Sequence, residues 1–133
     1  MAHASIAHVE DVDGLDRQRI ALKAYARVAA HWSITAKEAA ALADMSESTW
    51  KRARGPNFSG RLGFDQMLRL SALIGLYKSL EIYFAGEIAR DWVKLPNQGP
   101  EFLGARPIDA MVAGGLPKIL AVRHYVDALR GGL

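Results

Sequence analysis

The sequence predicts an all-α protein. Alanine and leucine dominate its apolar residues and β-branched residues are thinly spread, which favours helix over sheet. Apolar residues recur at helical spacing along much of the chain, and the sequence contains no convincing strand pair or internal repeat. Two helix-start signals, at Thr35 and Ser46, stand close enough together to predict consecutive short helices.

The N-terminal half is expected to form three helices after a flexible arm. Thr35 and Glu38 have the spacing of a capping box, in which each side chain accepts a hydrogen bond from a backbone amide at a helix start. Ser46 is a good N-cap for the next helix, which Gly55 and Pro56 end. The arm is predicted over 1–14 and the helices over 16–31, 36–43 and 46–54.

The second and third of these helices fit a helix-turn-helix. This motif needs a small residue where the helices cross, an apolar residue after the turn and two inward anchors, and the chain has Ala40, Met45, Trp50 and Ala53 at those places. Asp44 stands where glycine is frequent, and aspartate tolerates the positive φ of such a turn better than most residues. The expected DNA contacts are Ser46, Ser48, Thr49, Lys51, Arg52 and Arg54.

The DNA-binding interpretation has a plainer alternative, a helical hairpin whose polar face is only solvated. Glu47 would repel phosphate, although its carboxylate can accept a hydrogen bond from cytosine. The charge distribution favours DNA. Residues 17–61 carry nine basic residues against three acids, whereas residues 1–16 carry four acids and no Lys or Arg. One such motif offers few base contacts, so we expect a homodimer on its operator.

The C-terminal half is expected to be a second helical unit. The turn-rich segment 55–63 predicts the boundary, and 64–80 form a long helix whose apolar face either packs in the core or makes a dimer surface. Pro107 and Pro117 each fit the first turn of a helix, with Gly114-Gly115 between them. The predicted domains are a helix-turn-helix bundle (15–62) packed with a helical domain for dimerisation and partner binding (63–133).

Composition limits the function classes. The chain has 133 residues, half of them apolar, enough for one compact domain or two small ones sharing a core. The absence of cysteine excludes disulfides, thiolate metal sites and a cysteine nucleophile. The sequence has no apolar run near the ~18 residues of a membrane span, and acids stand where a signal peptide would be basic. We expect a cytoplasmic protein that does not contact a membrane.

The sequence shows no pattern typical of an enzyme. The four histidines lack metal-ligand spacing, the glycine pairs follow no strand, and the serines lie in no nucleophile elbow. No catalytic residue, metal site or cofactor is therefore expected.

The C-terminal sequence resembles a known family. Residues 91–97 (DWVKLPN), residues 102–111 (FLGARPIDAM), Gly114 and the helix that ends at Arg130-Gly131 are similar in order and spacing to the toxin-binding domain of Xre/MbcA/ParS antitoxins. The resemblance covers nearly the whole chain, because these antitoxins join that domain to an Xre-like helix-turn-helix. The chain has Ala105 where the family often has glycine, and Ile119 or Leu120 where it usually has valine. These differences leave the toxin subtype open.

The resemblance implies a type II antitoxin. Its partner would be a RES-domain toxin, which consumes NAD⁺ or transfers from it, and it would block the toxin's active site with C-terminal elements and repress its own operon. A cationic, slender C-terminus fits a dinucleotide cleft, although a frayed end without a role is the common alternative. The implied toxin contacts are Arg123, Tyr125, Asp127, Arg130, Gly131, Gly132 and Leu133. A one-component regulator without a toxin and a neutraliser that has lost DNA binding remain as alternatives.

Overall fold

The protein is helical throughout its regular structure. The computed structural model describes the backbone of residues 2–131 and the side chains of residues 12–131. No strand occurs in this described part, which confirms the all-α prediction. The helices are α1 (Ala2–Trp32), α2 (Ala36–Leu42), α3 (Glu47–Ala53), α4 (Phe64–Tyr83), α5 (Gly86–Asp91), a 3-10 turn (Trp92–Lys94) and α6 (Pro107–Arg130).

The first helix begins much earlier than the sequence predicted. We expected a start near Asp16 after an arm over 1–14, and α1 begins at Ala2, so that start was wrong. The segment before Asp16 contains no proline and only one glycine, Gly14. Extending an existing helix costs far less than starting a new one, so such a segment continues the helix without a sustained apolar face of its own.

Helices α4 and α6 form the centre of the molecule. One side of α4 is buried, with Leu70, Leu73, Leu76 and Leu80 inside the same core as residues from α1 and α6. Of the two roles left open for this face, the structure therefore supports burial within the monomer. The core of the C-terminal half also contains Ala72, Ala89, Trp92, Val93, Phe102, Ile108, Met111, Ile119, Val122 and Val126.

The final helix is two helices joined at a break. Gly115 has φ 67° and ψ −156°, far from helical values, and Pro117 follows two residues later. A side chain at Gly115 would be strained in this conformation. The break confirms the expectation that Pro107 and Pro117 each open a helix.

The linker between the two halves is fixed to α1 by one buried side chain. Gln18 Nε2 donates to the Gly60 carbonyl (2.9 Å), and Gln18 Oε1 accepts from the Leu62 amide (2.8 Å). Buried amide groups need both partners, and Gln18 has them. The linker therefore takes a defined path from α3 to α4.

Candidate functional site

The start of α2 has the capping box that the sequence predicted. The Glu38 amide donates to Thr35 Oγ1 (3.0 Å), and the Thr35 amide donates to Glu38 Oε1 (2.9 Å). Two amides without helical partners are thereby satisfied. The box fixes where the first helix of the motif begins.

The turn between α2 and α3 depends on Asp44. Its φ is 57°, the left-handed conformation in which this motif usually places glycine. The Met45 amide donates back to the Ala40 carbonyl (3.0 Å), and Gln66 Nε2 of α4 donates to the Asp44 carbonyl (2.8 Å). The turn is thus tied both to α2 and to the C-terminal half.

The inward face of α3 is anchored on α1. Trp50 and Ala53 are buried, and the Trp50 ring meets the Tyr25 ring edge-on with centroids 5.1 Å apart. The Tyr25 hydroxyl donates to the Ala39 carbonyl (2.7 Å), and burial raises the pKa of Tyr25. The four anchors expected from the sequence therefore occupy the inner side, with Met45 half-buried.

The outer face of α3 carries most of the predicted DNA contacts. Ser46 is the N-cap, accepting from the Thr49 amide (3.1 Å), and its hydroxyl also contacts those of Ser48 (3.2 Å) and Thr49 (2.8 Å). Arg52 Nη2 donates to Thr49 Oγ1 (3.2 Å). The chain thus presents a polar, preordered surface at the start of the reading helix.

The two remaining basic residues of this set lie in different surroundings. Lys51 Nζ pairs with Glu47 Oε1 at 3.5 Å, so part of its charge is offset. Arg54 lines a groove of about 760 Å³ between α1 and the segment after α3, away from the Ser46 end of the helix.

Sequence reasoning overlooked the turn after α3. A second, smaller groove of about 430 Å³ is bounded by Lys51 and Arg52 on one side and by the loop 55–60 on the other. The polar side chains of Asn57 and Ser59 belong to its lining. The only sequence signal for this groove was the turn-rich composition of 55–63, which we interpreted as a domain boundary and not as a binding surface.

The structure gathers several of the predicted toxin contacts around Asp127. This carboxylate accepts from the Ser79 hydroxyl of α4 and lies near Arg123 Nε (3.8 Å) and Arg130 Nη2 (3.9 Å). The Arg123 guanidinium also lies over Gly75, where an added Cβ would come within 2.4 Å of it. Arg123 and Asp127 therefore help to hold α6 on α4.

The other predicted toxin contacts are distributed differently. Tyr125 is half-buried, with its ring edge-on to Phe102 at 5.7 Å, whereas Arg130 and Gly131 are exposed at the end of α6. Gly132 and Leu133 lie outside the described residues.

An arginine that was not among the candidates joins the two halves. Arg106 Nη2 donates to Glu38 Oε2 (3.1 Å) and to Asp109 Oδ1 (2.9 Å), and its Nε donates to Asp109 Oδ2 (2.8 Å). The pKa of Glu38 lies below its ordinary value because of the hydrogen bond from the Thr35 amide and then Arg106. Arg106 likewise lowers the pKa of Asp109. The capping box of α2 is thus connected to the start of α6.

The described residues offer neither a metal site nor a membrane-spanning helix. No group of three or more His, Asp or Glu side chains there is placed to hold a metal ion. No described helix is both long and apolar enough to cross a membrane.

The geometry defines a helix-turn-helix protein with a helical C-terminal domain. Residues 11–75 match the antitoxin Xre-like helix-turn-helix domain, and residues 79–132 match the antitoxin Xre/MbcA/ParS C-terminal toxin-binding domain. An uncharacterized protein of Sinorhizobium fredii (strain NBRC 101917 / NGR234), y4oB, is 37% identical over 116 residues, covering 84% of each chain. No solved structure matches. The chain belongs to the Xre/MbcA/ParS antitoxin family, whose domains bind DNA and toxin rather than catalyse reactions.

Proposed function

We propose that this protein is the antitoxin of a type II toxin-antitoxin system, blocks the active site of a RES-domain toxin and represses its own operon. The observation that carries the proposal is one chain in which a well-formed helix-turn-helix precedes a toxin-binding domain. The protein itself has no catalytic residue and no cofactor in this proposal, and it acts in the cytoplasm. The assigned regions are 15–62 for DNA and 63–133 for toxin; the dimer contact, which the sequence placed within 63–133, is assigned to α1 in this proposal.

DNA recognition is assigned to the exposed face of α3. Ser48 and Arg52 lie one turn apart and point outward, which suits base edges in a major groove, while Ser46, Thr49, Lys51 and Arg54 suit phosphates. Replacing Arg52 with alanine should weaken binding to the chain's own promoter by ~1–3 kcal/mol if Arg52 makes a bidentate guanine contact.

The binding experiment is a fluorescence-anisotropy titration repeated over a salt series. Arg90→Ala is the matched control, because it removes one exposed positive charge from the C-terminal domain. A specific component that persists as salt rises supports the assignment, since a merely basic surface loses affinity uniformly. Equal effects of Arg52→Ala and Arg90→Ala would contradict it.

Toxin neutralisation is assigned to the end of α6. Arg130 is exposed there, and its contact with Asp127 is long enough at 3.9 Å to be exchanged for a phosphate. The proposed blocking set is Arg123, Tyr125, Asp127, Arg130, Gly131, Gly132 and Leu133, with Arg130 entering the NAD⁺ entrance.

A truncation tests this assignment without disturbing the core. Removing residues 130–133 leaves the contact between Asp127 and Ser79 in place. The shortened chain should release toxicity in co-expression while binding its operator as before. Unchanged neutralisation would show that the C-terminus has no blocking role.

The DNA half and the toxin half can fail separately. The ion pair between Glu47 and Lys51 lowers the positive charge at the reading helix, which favours a neutraliser with weak or no DNA binding as the second candidate. A chain that rescues growth but shows no specific binding to its promoter is that neutraliser. A chain that binds its promoter but no RES-domain toxin is a one-component regulator.

We also propose a homodimer formed through α1. The larger groove beside α1 has an apolar floor that includes Leu22 and Phe58, and Lys23 and Arg27 along it have no ion-pair partner within the described part of the chain. The N-terminal part of α1 in a second copy is complementary, because residues 10–16 carry four acids. If two α1 helices pair in antiparallel orientation, the acids of each copy lie against the basic residues of the other.

Analytical ultracentrifugation tests the dimer. The wild-type chain should sediment at twice its 14.5 kDa mass. Arg27→Glu should dissociate it, and high salt should weaken it because the contacts are ionic. A monomer at every concentration would contradict the proposal.

A further inference from the structure

One leucine of the C-terminal domain is exposed to solvent rather than buried. Leu103 is 84% exposed, more than any other large apolar side chain in the described part of the chain. Its φ is +49°, in the left-handed region. The other non-glycine residues with positive φ in the described backbone are the polar Ser33 and Asp44, whereas a leucine gains no local hydrogen bond from its side chain there.

The backbone around Leu103 is fixed by a set of hydrogen bonds within the loop. The Leu103 amide donates to the Gly99 carbonyl (3.1 Å), and the Gly104 amide donates to the Asn97 carbonyl (2.8 Å). The Asn97 amide donates to the Ala105 carbonyl (3.1 Å), and Asn97 Oδ1 accepts from the Gly99 amide (2.8 Å). The strained conformation of Leu103 is therefore imposed by the loop.

The loop also has a firm support behind it. Phe102 is buried next to Leu103, and its ring packs edge-on against Trp92 (5.5 Å) and Tyr125 (5.7 Å). Lys118 Nζ of α6 donates to the carbonyl and the carboxylate of Glu101 (3.2 and 3.1 Å). The backbone of Leu103 is thus held at a fixed position, while its side chain remains exposed to solvent.

We infer that Leu103 is an apolar anchor that inserts into a hydrophobic pocket of the toxin. The backbone strain and the exposure of Leu103 both raise the free energy of the unbound protein. Residues with these features are typical of binding surfaces. The loop lies inside the domain matched as toxin-binding, over 79–132. DNA does not fit it, because residues 95–105 contain no Lys or Arg. The inference rests on the proposed function.

Two substitutions remove the anchor while easing the backbone. Glycine and asparagine both tolerate a positive φ, so Leu103→Gly and Leu103→Asn should melt at or above the wild-type temperature. Their complexes with the RES-domain toxin should be about 10-fold weaker or more, the loss expected for one buried leucine side chain. Leu103→Met keeps an apolar side chain and should retain affinity.

Calorimetric titration of purified toxin with each full-length variant decides the matter. Reduced affinity of Leu103→Asn without reduced melting temperature, together with normal affinity of Leu103→Met, is the expected result. Wild-type affinity of Leu103→Asn would overturn the inference and leave the proposed function standing. A variant that changes the mass of the antitoxin alone would place Leu103 between two copies and also overturn it. If the wild-type chain binds no toxin, the proposed function fails first, and this inference fails with it.

Discussion

The Tyr25 hydroxyl joins α1 to the helix-turn-helix at a single atom. It is fully buried and donates to the Ala39 carbonyl (2.7 Å), which also accepts from the Ala43 amide (3.3 Å). Because that carbonyl keeps a second partner, Tyr25→Phe should lower the free energy of unfolding by only ~1 kcal/mol. Urea denaturation measures this. Tyr83→Phe is the control, since Tyr83 is exposed and its hydroxyl makes no hydrogen bond in the described part of the chain; equal losses would contradict the assignment.

Asp44 determines the geometry of the turn in the same local way. Its φ of 57° suits aspartate, asparagine and glycine but is costly for alanine. Asp44→Ala should lower the free energy of unfolding by ~1 kcal/mol, whereas Asp44→Asn should leave it nearly unchanged. Thermal unfolding of the two variants is the measurement. Equal stability would mean that the turn relaxes to an ordinary conformation.

At the scale of elements, α3 has a residue with two possible roles. Ser46 caps the helix through the Thr49 amide, and it also belongs to the proposed DNA-binding surface. Ser46→Ala should lower the free energy of unfolding by ~1 kcal/mol through loss of the cap. Ser46→Asp keeps a capping oxygen and favours the helix dipole, but it adds a negative charge where phosphate is expected.

The two variants separate the roles of Ser46. Ser46→Asp should retain wild-type stability and bind the promoter less tightly, and the loss should shrink as salt rises. Unfolding and anisotropy titrations on the same preparations give both quantities. Undiminished promoter affinity of Ser46→Asp would remove Ser46 from the DNA surface.

At the scale of the whole molecule, Arg106 connects the two domains through carboxylates whose pKa is lowered. Groups with a lowered folded pKa contribute stability above their unfolded pKa, and that contribution is lost as the pH falls through the folded value. Glu38 and Asp109 should therefore make the protein less stable as the pH falls below about 4 to 5. Arg106→Gln should lower Tm at pH 7 and by a smaller amount at pH 3.

Melting curves at several pH values measure this difference. Glu38→Gln is the informative control, because its amide oxygen still accepts from the Thr35 amide while the charge facing Arg106 is removed. A Tm difference between the wild type and Arg106→Gln that does not change with pH would show that the contact is not electrostatic.

The sequence predicted those features whose signals are local. The capping box at Thr35, the positive φ of Asp44 and the inward Trp50 each follow from a few neighbouring residues, and the structure confirms them. Arg106 and Glu38 are 68 residues apart in the sequence, so no pattern of neighbouring residues predicts their contact. The start of α1 was predicted wrongly because an existing helix can extend into residues that lack the periodic apolar pattern.

The candidate site shows the same division. Arg52 and Ser48 point outward as helical spacing requires. The contacts of Asp127 and Arg123 with α4 depend on Ser79 and Gly75, and no sequence pattern pairs these two residues with α6. Leu103 was part of the family pattern, and only the structure revealed its exposure and its backbone conformation.

The central claim is that this chain neutralises a RES-domain toxin by binding it. The direct measurement is NAD⁺ consumption by the purified toxin, titrated with the full-length chain and followed by size-exclusion chromatography of the mixture. The account predicts that activity falls to zero at a fixed stoichiometry and that the two proteins elute together. Full toxin activity in the presence of excess chain, with no shared peak, would contradict it.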